Sequence, residues 1–307
     1  MENQTVFYTL VLSGLSDLPS LQLPLFLVFL LVYLMTLTAN LLIVLLICTD
    51  SHLQTPMYFF LGTLACLDMG CSSVTIPRML YDLYTQSKII SLQACITQLF
   101  FFIFLAMSEV VLLAVMSYDR YVAICRPLHY TQIMHWRTCV LLVSGVLISG
   151  IVYSLIHTLS LLRLTFCVSN TLKSFFCDLP QLIQISSSDT FINVLMIFFF
   201  TILFCVSILV ATFCPYIIIL NTIMKMQSKA IRSKAFSTCS SHLIVIVILY
   251  GTGFFSYLNT NTNYVVGNTV STLFYSVLTP LLNPIIYSLR NQELKQSLKM
   301  SLIKMKS

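Results

Sequence analysis

Charge is what this chain has least of. Only 8% of its 307 residues are Asp, Glu, Lys or Arg, against 58% that are hydrophobic. An ordinary soluble domain carries roughly 25% charged residues, so a large aqueous core is excluded and a polytopic membrane protein is indicated. From Ala235 to Leu289 no charged residue occurs at all, a stretch too long for one membrane span. The first twenty residues contain no Lys or Arg, and the uncharged run after them is too long for a cleavable signal peptide. The first span is therefore expected to act as its own uncleaved signal. No nucleophile stands beside a base, and the cysteines lack paired spacings with His, which argues against an enzyme or a metal framework. The halves show no internal repeat and few polar groups interrupt the spans, which argues against a transporter or channel.

What charge there is lies asymmetrically. A net charge of +6 suggests nucleic acid, but the positions of the cations point to a membrane. Arg120, Arg126, Arg137, Lys225, Lys229, Arg232, Lys234, Arg290, Lys295, Lys299, Lys304 and Lys306 all fall on one side of the spans. Arg78, Lys88, Arg163 and Lys173 belong to the other side or to the helix ends leading to it. By the positive-inside rule the richer side is cytoplasmic and the N-terminus is outside. Asn3, Gln4 and Thr5 then form a glycosylation sequon on the outer side.

A bilayer core of about 30 Å needs roughly 20 apolar residues per helix. The predicted spans are Leu23–Cys48, Pro56–Leu80, Gln93–Ile124, Thr138–Leu162, Thr190–Met226, Ser233–Leu258 and Thr269–Leu289, the last two divided by Asn259–Asn263 and Gly267-Asn268. This is an all-α, seven-transmembrane bundle (23–290), preceded by an extracellular segment (1–22). It is followed by a basic tail (291–307) in which Leu294, Leu298, Leu302 and Met305 recur against Lys295, Lys299 and Lys304, an amphipathic helix suited to the inner leaflet.

The third span ends in Met116-Ser-Tyr-Asp-Arg-Tyr-Val-Ala-Ile-Cys125. An acid beside an arginine is common on solvated helices, but here the pair closes a membrane-length run. Asp119 can hold the Arg120 guanidinium in one orientation, and release would open a cytoplasmic surface. Asp68 and Glu109 are expected to be the only carboxylates buried within spans. A charge at mid-bilayer costs roughly 2.5–3.5 kcal/mol on insertion scales, so these acids need either a cation or a proton. As protonated groups they would hydrogen-bond to neighbours such as Asn40 or Asn283. A catalytic pair is a third reading, with no nucleophile beside it.

Seven spans and the Asp119-Arg120-Tyr121 ending resemble the rhodopsin-like G-protein-coupled receptors. Thr55-Pro-Met-Tyr-Phe-Phe-Leu61, Met116–Cys125, Lys234-Ala-Phe-Ser-Thr-Cys-Ser-Ser-His-Leu243 and Pro280-Leu-Leu-Asn-Pro-Ile-Ile-Tyr287 narrow the resemblance to the olfactory receptors. Pro215 and Ala39 depart from that family's usual Ser and Gly. In the second outer loop Ser187 stands where a third cysteine would fall beside Cys167 and Cys177.

The resemblance implies a plasma-membrane receptor for small organic odorants, coupled to a stimulatory G protein of the olfactory type. An ectopically expressed receptor for an endogenous metabolite is the alternative. Asp68 and Glu109 match positions implicated in a Na⁺ site, the only cofactor suggested. Cys95 and Cys177 both face an oxidising compartment, where a disulfide persists; it would pin the loop over the bundle. Tyr216, Tyr287 and Arg120 lie near the inner helix ends, where the tyrosine hydroxyls can hold Arg120 once the sixth helix swings outward. Asn283 and Pro284 belong to the same inner apparatus. His242 reads either as a packed polar residue or as a pH switch. Helical spacing and resemblance together place the ligand among Phe102, Ile103, Ala106 and Met107 of the third span. Facing these are Phe200, Thr201 and Phe204 of the fifth, Tyr250, Gly253, Phe254 and Tyr257 of the sixth, and Leu273 and Ser276 of the seventh. Phe102 stands where amine receptors place an aspartate, which argues against a biogenic amine.

Overall fold

The computed structural model describes residues 9–15, 18–162, 164–165, 171–172, 174–186, 191–258, 272–290 and 292–306. A backbone crossing lipid has no water to bond to and must satisfy its own N–H and C=O groups, so the apolar runs fold as helices. They are α1 (Pro19–Thr49), α2 (Pro56–Thr85), α3 (Leu92–Cys125), α4 (Trp136–Leu161), α5 (Phe191–Lys225), α6 (Lys229–Leu258) and α7, a π-helical turn Phe274–Leu278 running into Thr279–Arg290. Among the described residues, α1 to α5 are long and apolar enough to cross a membrane. The whole is a seven-transmembrane bundle with a short amphipathic helix, α8 (Gln292–Lys306), at its end. The predicted break between α6 and α7 lies outside the described residues.

Local chemistry sets the helix ends. Pro19 and Pro56 open α1 and α2, where the missing N–H costs nothing. The Ser91 hydroxyl caps α3 by accepting from the Ala94 N–H at 3.2 Å. Inside α7, Pro284 has no N–H to give the Pro280 carbonyl one turn earlier. Asn40 of α1 supplies the donor, its Nδ2 lying 3.0 Å from that carbonyl. The helix that proline weakens is thereby tied to α1.

Where helices meet most closely, side-chain volume decides. A Cβ built on Gly150 of α4 would lie 2.3 Å from the Ser108 hydroxyl and 2.8 Å from the Phe104 carbonyl of α3. Only glycine lets these two helices approach so closely. Four residues on, Ser154 donates to the Phe100 carbonyl at 2.6 Å and fastens the same seam.

One end of the bundle carries the Cys95–Cys177 disulfide and is called here the disulfide end; the other carries Arg120 and the basic residues. At the disulfide end lies a three-stranded sheet that the residue pattern does not predict. Strand β1 (Thr9–Leu12) is its centre, antiparallel to β2 (Ile89–Ser91) and parallel to β3 (Thr171–Leu172). Leu10 and Leu12 are fully buried within it and pack with Leu99, Leu161, Cys95 and Cys177. At the basic end α8 tucks under the bundle, with Leu294 and Ser297 buried and the Tyr58 hydroxyl of α2 donating to Glu293 at 2.7 Å.

The expectation that Asp68 and Glu109 are the only buried carboxylates within spans is corrected. Helix α2 runs on to Thr85 rather than stopping near Leu80, and Asp82 is 7% exposed inside it. Arg78, one turn earlier, pairs with it at 2.8 Å, without the alignment of a hydrogen bond. That cation offsets part of the cost of burying the carboxylate. Asp119, 1% exposed at the foot of α3, is a further buried acid.

Candidate functional site

At the basic end, Asp119 and Arg120 form a closed clasp. The guanidinium donates to one carboxylate oxygen from Nε at 3.0 Å, and Nη2 reaches that same oxygen. The other oxygen accepts from the Tyr130 hydroxyl at 2.8 Å, which comes from a one-turn helix, Tyr130–Ile133. Burial, then the neighbouring Asp119 charge, pushes the Tyr130 phenol above its ordinary pKa. Tyr130 is a contact of the clasp that sequence reasoning misses, because nothing in its spacing from Asp119 marks a partner. Tyr121 does not join the clasp; its ring lies 6.2 Å from that of Tyr118.

The expected partners of Arg120 are occupied elsewhere or idle. The Tyr216 hydroxyl of α5 bonds to Nδ1 of His242 on α6, and both residues are buried. The Tyr287 hydroxyl is buried with no hydrogen-bond partner. Tyr216 thus ties α5 to α6 while Arg120 is held by Asp119. Beside the clasp a groove of about 460 Å³ is lined by Arg126, Pro127, Leu128 and His129 among others. Leu128 is 88% exposed there.

Midway along the bundle lies a polar core. Asn283 of α7 donates to both Asp68 oxygens, at 2.9 and 3.1 Å. Asp68 is 1% exposed and Glu109 2%. Glu109 Oε1 and Asn40 Oδ1 are buried oxygens without a partner. Pro284 is buried in α7 between this core and Tyr287.

Toward the disulfide end the candidate pocket residues are only partly brought together. Phe102 is buried beneath the loop, its ring 5.2 Å from Phe176 and 5.6 Å from Tyr275 of α7. Ala106 and Leu273 pack on that same cluster, whereas Ile103 packs on the one beneath the sheet. Met107 and Phe200 are half-buried. Thr201 meets the Tyr153 hydroxyl of α4 at 3.2 Å, and Phe204 lies 5.0 Å from the Tyr153 ring. Tyr250 packs against the cluster at the basic end and its hydroxyl contacts Thr212 at 3.2 Å. Ser276 is fully buried and donates to its own helix at the Thr272 carbonyl, 2.6 Å away. The side chains at 253, 254 and 257 (Gly253, Phe254, Tyr257) lie outside the described residues, as do Asn3, Cys167 and Ser187.

The disulfide roofs this region. Cys95 and Cys177 are joined with Cα atoms 5.5 Å apart, and the Cys177 N–H donates to Gln98 at 3.3 Å. Asp178, next along the loop, is pushed up to about 6 by burial, although a hydrogen bond from the Leu179 N–H pulls the other way. His157 of α4 is a further residue that sequence reasoning passes over. It and His242 are the two histidines inside spans, and a polar ring within an apolar run is itself a signal.

A seven-helix bundle with an arginine clasp at one end, a buried acid pair in the middle and a roofed apolar region at the other defines a rhodopsin-like G-protein-coupled receptor. Squid rhodopsin has the same fold, with a TM-score of 0.71 at 17% identity over 95% of this chain and 88% of that one. A family model described as olfactory receptor matches residues 29–305. The chain is 46% identical to human Olfactory receptor 5B12 over 100% of its length and 98% of the relative's. It is likewise 46% identical to the chicken Olfactory receptor-like protein COR4, covering 97% and 96%. The chain belongs to the olfactory receptor family. It is an odorant-sensing, multi-pass membrane receptor that couples a small molecule to a G protein, and it is not an enzyme.

Proposed function

We propose that the chain detects small, neutral, mostly apolar molecules and activates a stimulatory, olfactory-type G protein that raises cAMP. The disulfide end faces outside and the basic end the cytoplasm, as the distribution of Lys and Arg supports. The exposed Leu128 groove beside the clasp is the surface offered to the G protein. The carrying observation is the apolar cluster under the disulfide-pinned loop, with Phe102 against Phe176 and Ala106 close by. Among these apolar side chains a charged ligand would lose its hydration, whereas an apolar one gains about 25 cal/mol per Å² buried. A broad odorant screen with a cAMP reporter tests this reading. Ala106→Phe should weaken the longest agonists first, by about tenfold for an overpacking cost of ~1–3 kcal/mol. Permanently charged compounds as the strongest agonists, or unchanged potencies in Ala106→Phe, would overturn it.

We propose that the polar core takes a Na⁺ ion. Asp68, Glu109 Oε1 and Asn40 Oδ1 are buried oxygens on three helices, two of them with no partner, and hard cations take oxygen ligands. When bound, the ion would supply the positive charge that lets both acids stay ionised. The Asn283 bonds to both Asp68 oxygens favour a second reading, protonated acids held by hydrogen bonds. If Na⁺ is shared, Asp68→Asn and Glu109→Gln should each abolish the sodium dependence of agonist potency. A sodium response identical to wild type in both variants would instead support protonated acids.

A further inference from the structure

Three of the candidate ligand-site hydroxyls already have protein partners. Thr201 is paired with Tyr153, Tyr250 with Thr212, and Ser276 with the Thr272 carbonyl. His157 differs from all of them. It is 1% exposed, and neither ring nitrogen has a hydrogen-bond partner. Its neighbours on α4 do not serve it, because the Ser154 hydroxyl goes to Phe100 and the Thr158 hydroxyl to the Ser154 carbonyl. The imidazole is nonetheless fixed in place. It stands edge-on to the Tyr153 ring, centroids 4.2 Å apart, and Tyr153 in turn touches Thr201 and Phe204, two of the candidate ligand residues.

A buried polar group without a partner is costly, and native structures contain few of them. An imidazole held against Tyr153, one residue removed from Thr201 and Phe204, with one donor and one acceptor both idle, is a site that a ligand could complete. We propose that His157 is the hydrogen-bonding pole of the ligand site and that it selects molecules bearing a hydroxyl group, alcohols or phenols. A neutral imidazole carries one N–H and one lone pair, in either tautomer. A hydroxyl can donate to the one or accept from the other. An ether, ketone or ester can only accept, and a hydrocarbon does neither. This assignment rests on the odorant-receptor reading and adds the chemical class of ligand to it.

The test is a matched series on one carbon skeleton, an alcohol, its methyl ether and the alkane. Each is assayed on wild type, His157→Phe, His157→Leu and His157→Asn, with surface level measured in parallel. The wild type should respond to the alcohol at concentrations on the order of 10–100-fold below those needed for the alkane, with the ether, which can use only the N–H, between them. His157→Phe, which keeps a ring against Tyr153, should erase that gap without lowering surface level, and His157→Leu should do the same. His157→Asn, with a donor and an acceptor of its own, should restore part of it. A wild type with no alcohol preference overturns the proposal, as does a preference that persists in both Phe and Leu variants. Loss of all three variants from the surface would make His157 a folding residue and also overturn it. A wild type silent to every skeleton in a broad panel would instead sink the receptor reading, and this inference with it.

Discussion

Arg120→Ala should abolish agonist-driven signalling while the receptor still reaches the cell surface. The guanidinium is folded onto its neighbour, with Nε at 3.0 Å from an Asp119 oxygen whose carboxylate also takes the Tyr130 hydroxyl at 2.8 Å. In that arrangement the charge is withheld from the α5 and α7 tyrosines. Tyr216 is engaged by His242, so an outward swing of α6 would free the hydroxyl as it opened the groove beside Arg120. Activation then exchanges one set of partners for another, and alanine removes the group that both sets need. The neighbouring change has the opposite sign. Asp119→Asn weakens the closed clasp, and leaving one member of a buried pair uncompensated costs about 3–5 kcal/mol. A shift of only 1.4 kcal/mol changes a two-state population about tenfold, so basal signalling should rise severalfold. A second-messenger reporter beside a surface antibody measures both. Full agonist response from well-expressed Arg120→Ala would refute the exchange.

The spans and the clasp are legible in the chain because each is local. An apolar run of membrane length leaves the backbone one choice, and Asp119 precedes Arg120 directly. Contacts made across the bundle are legible only where a rule links distant residues. Pro284 announces a carbonyl without its donor at Pro280, yet nothing nearby names Asn40, 240 residues away, as the group that fills it. The three strands have two to four residues each, too short for alternation to declare itself. Asp82 looks like an end-of-helix charge until the pairing with Arg78 is seen. The candidate pocket shows the same division. Phe102, Ala106 and Leu273 lie on one cluster, but helical spacing cannot tell that Ser276 bonds to its own backbone or that Tyr250 turns toward Thr212. Hydrogen-bond satisfaction is a property of the folded neighbourhood, and His157 is found only by asking which buried groups lack a partner.

Replacing both Cys95 and Cys177 with serine should remove the roof of the pocket. The bridge closes a loop with a sequence separation of 82, and in the chain-entropy account such a closure is worth about 4–5 kcal/mol. That is a large share of the ~5–15 kcal/mol that holds a typical domain together. The bridge also fixes a set of contacts that depend on it. Cys177 donates its N–H to Gln98, whose amide bonds the Val74 carbonyl of α2 at 3.0 Å, and the adjacent Phe176 is buried against Phe102. Without the covalent tie the loop must hold Asp178 in a buried site, where a carboxylate with its pKa at about 6 is ionised at neutral pH at some cost. The double variant should therefore lose most of its surface expression and its thermal stability. Whatever reaches the surface should respond weakly to every agonist rather than to a chosen few. Each single serine variant should be at least as damaged, since it loses the same bridge and keeps an unpaired thiol. A double variant that melts with the wild type under non-reducing conditions, and answers agonists with wild-type potency, would show that the noncovalent contacts alone hold the loop over the pocket.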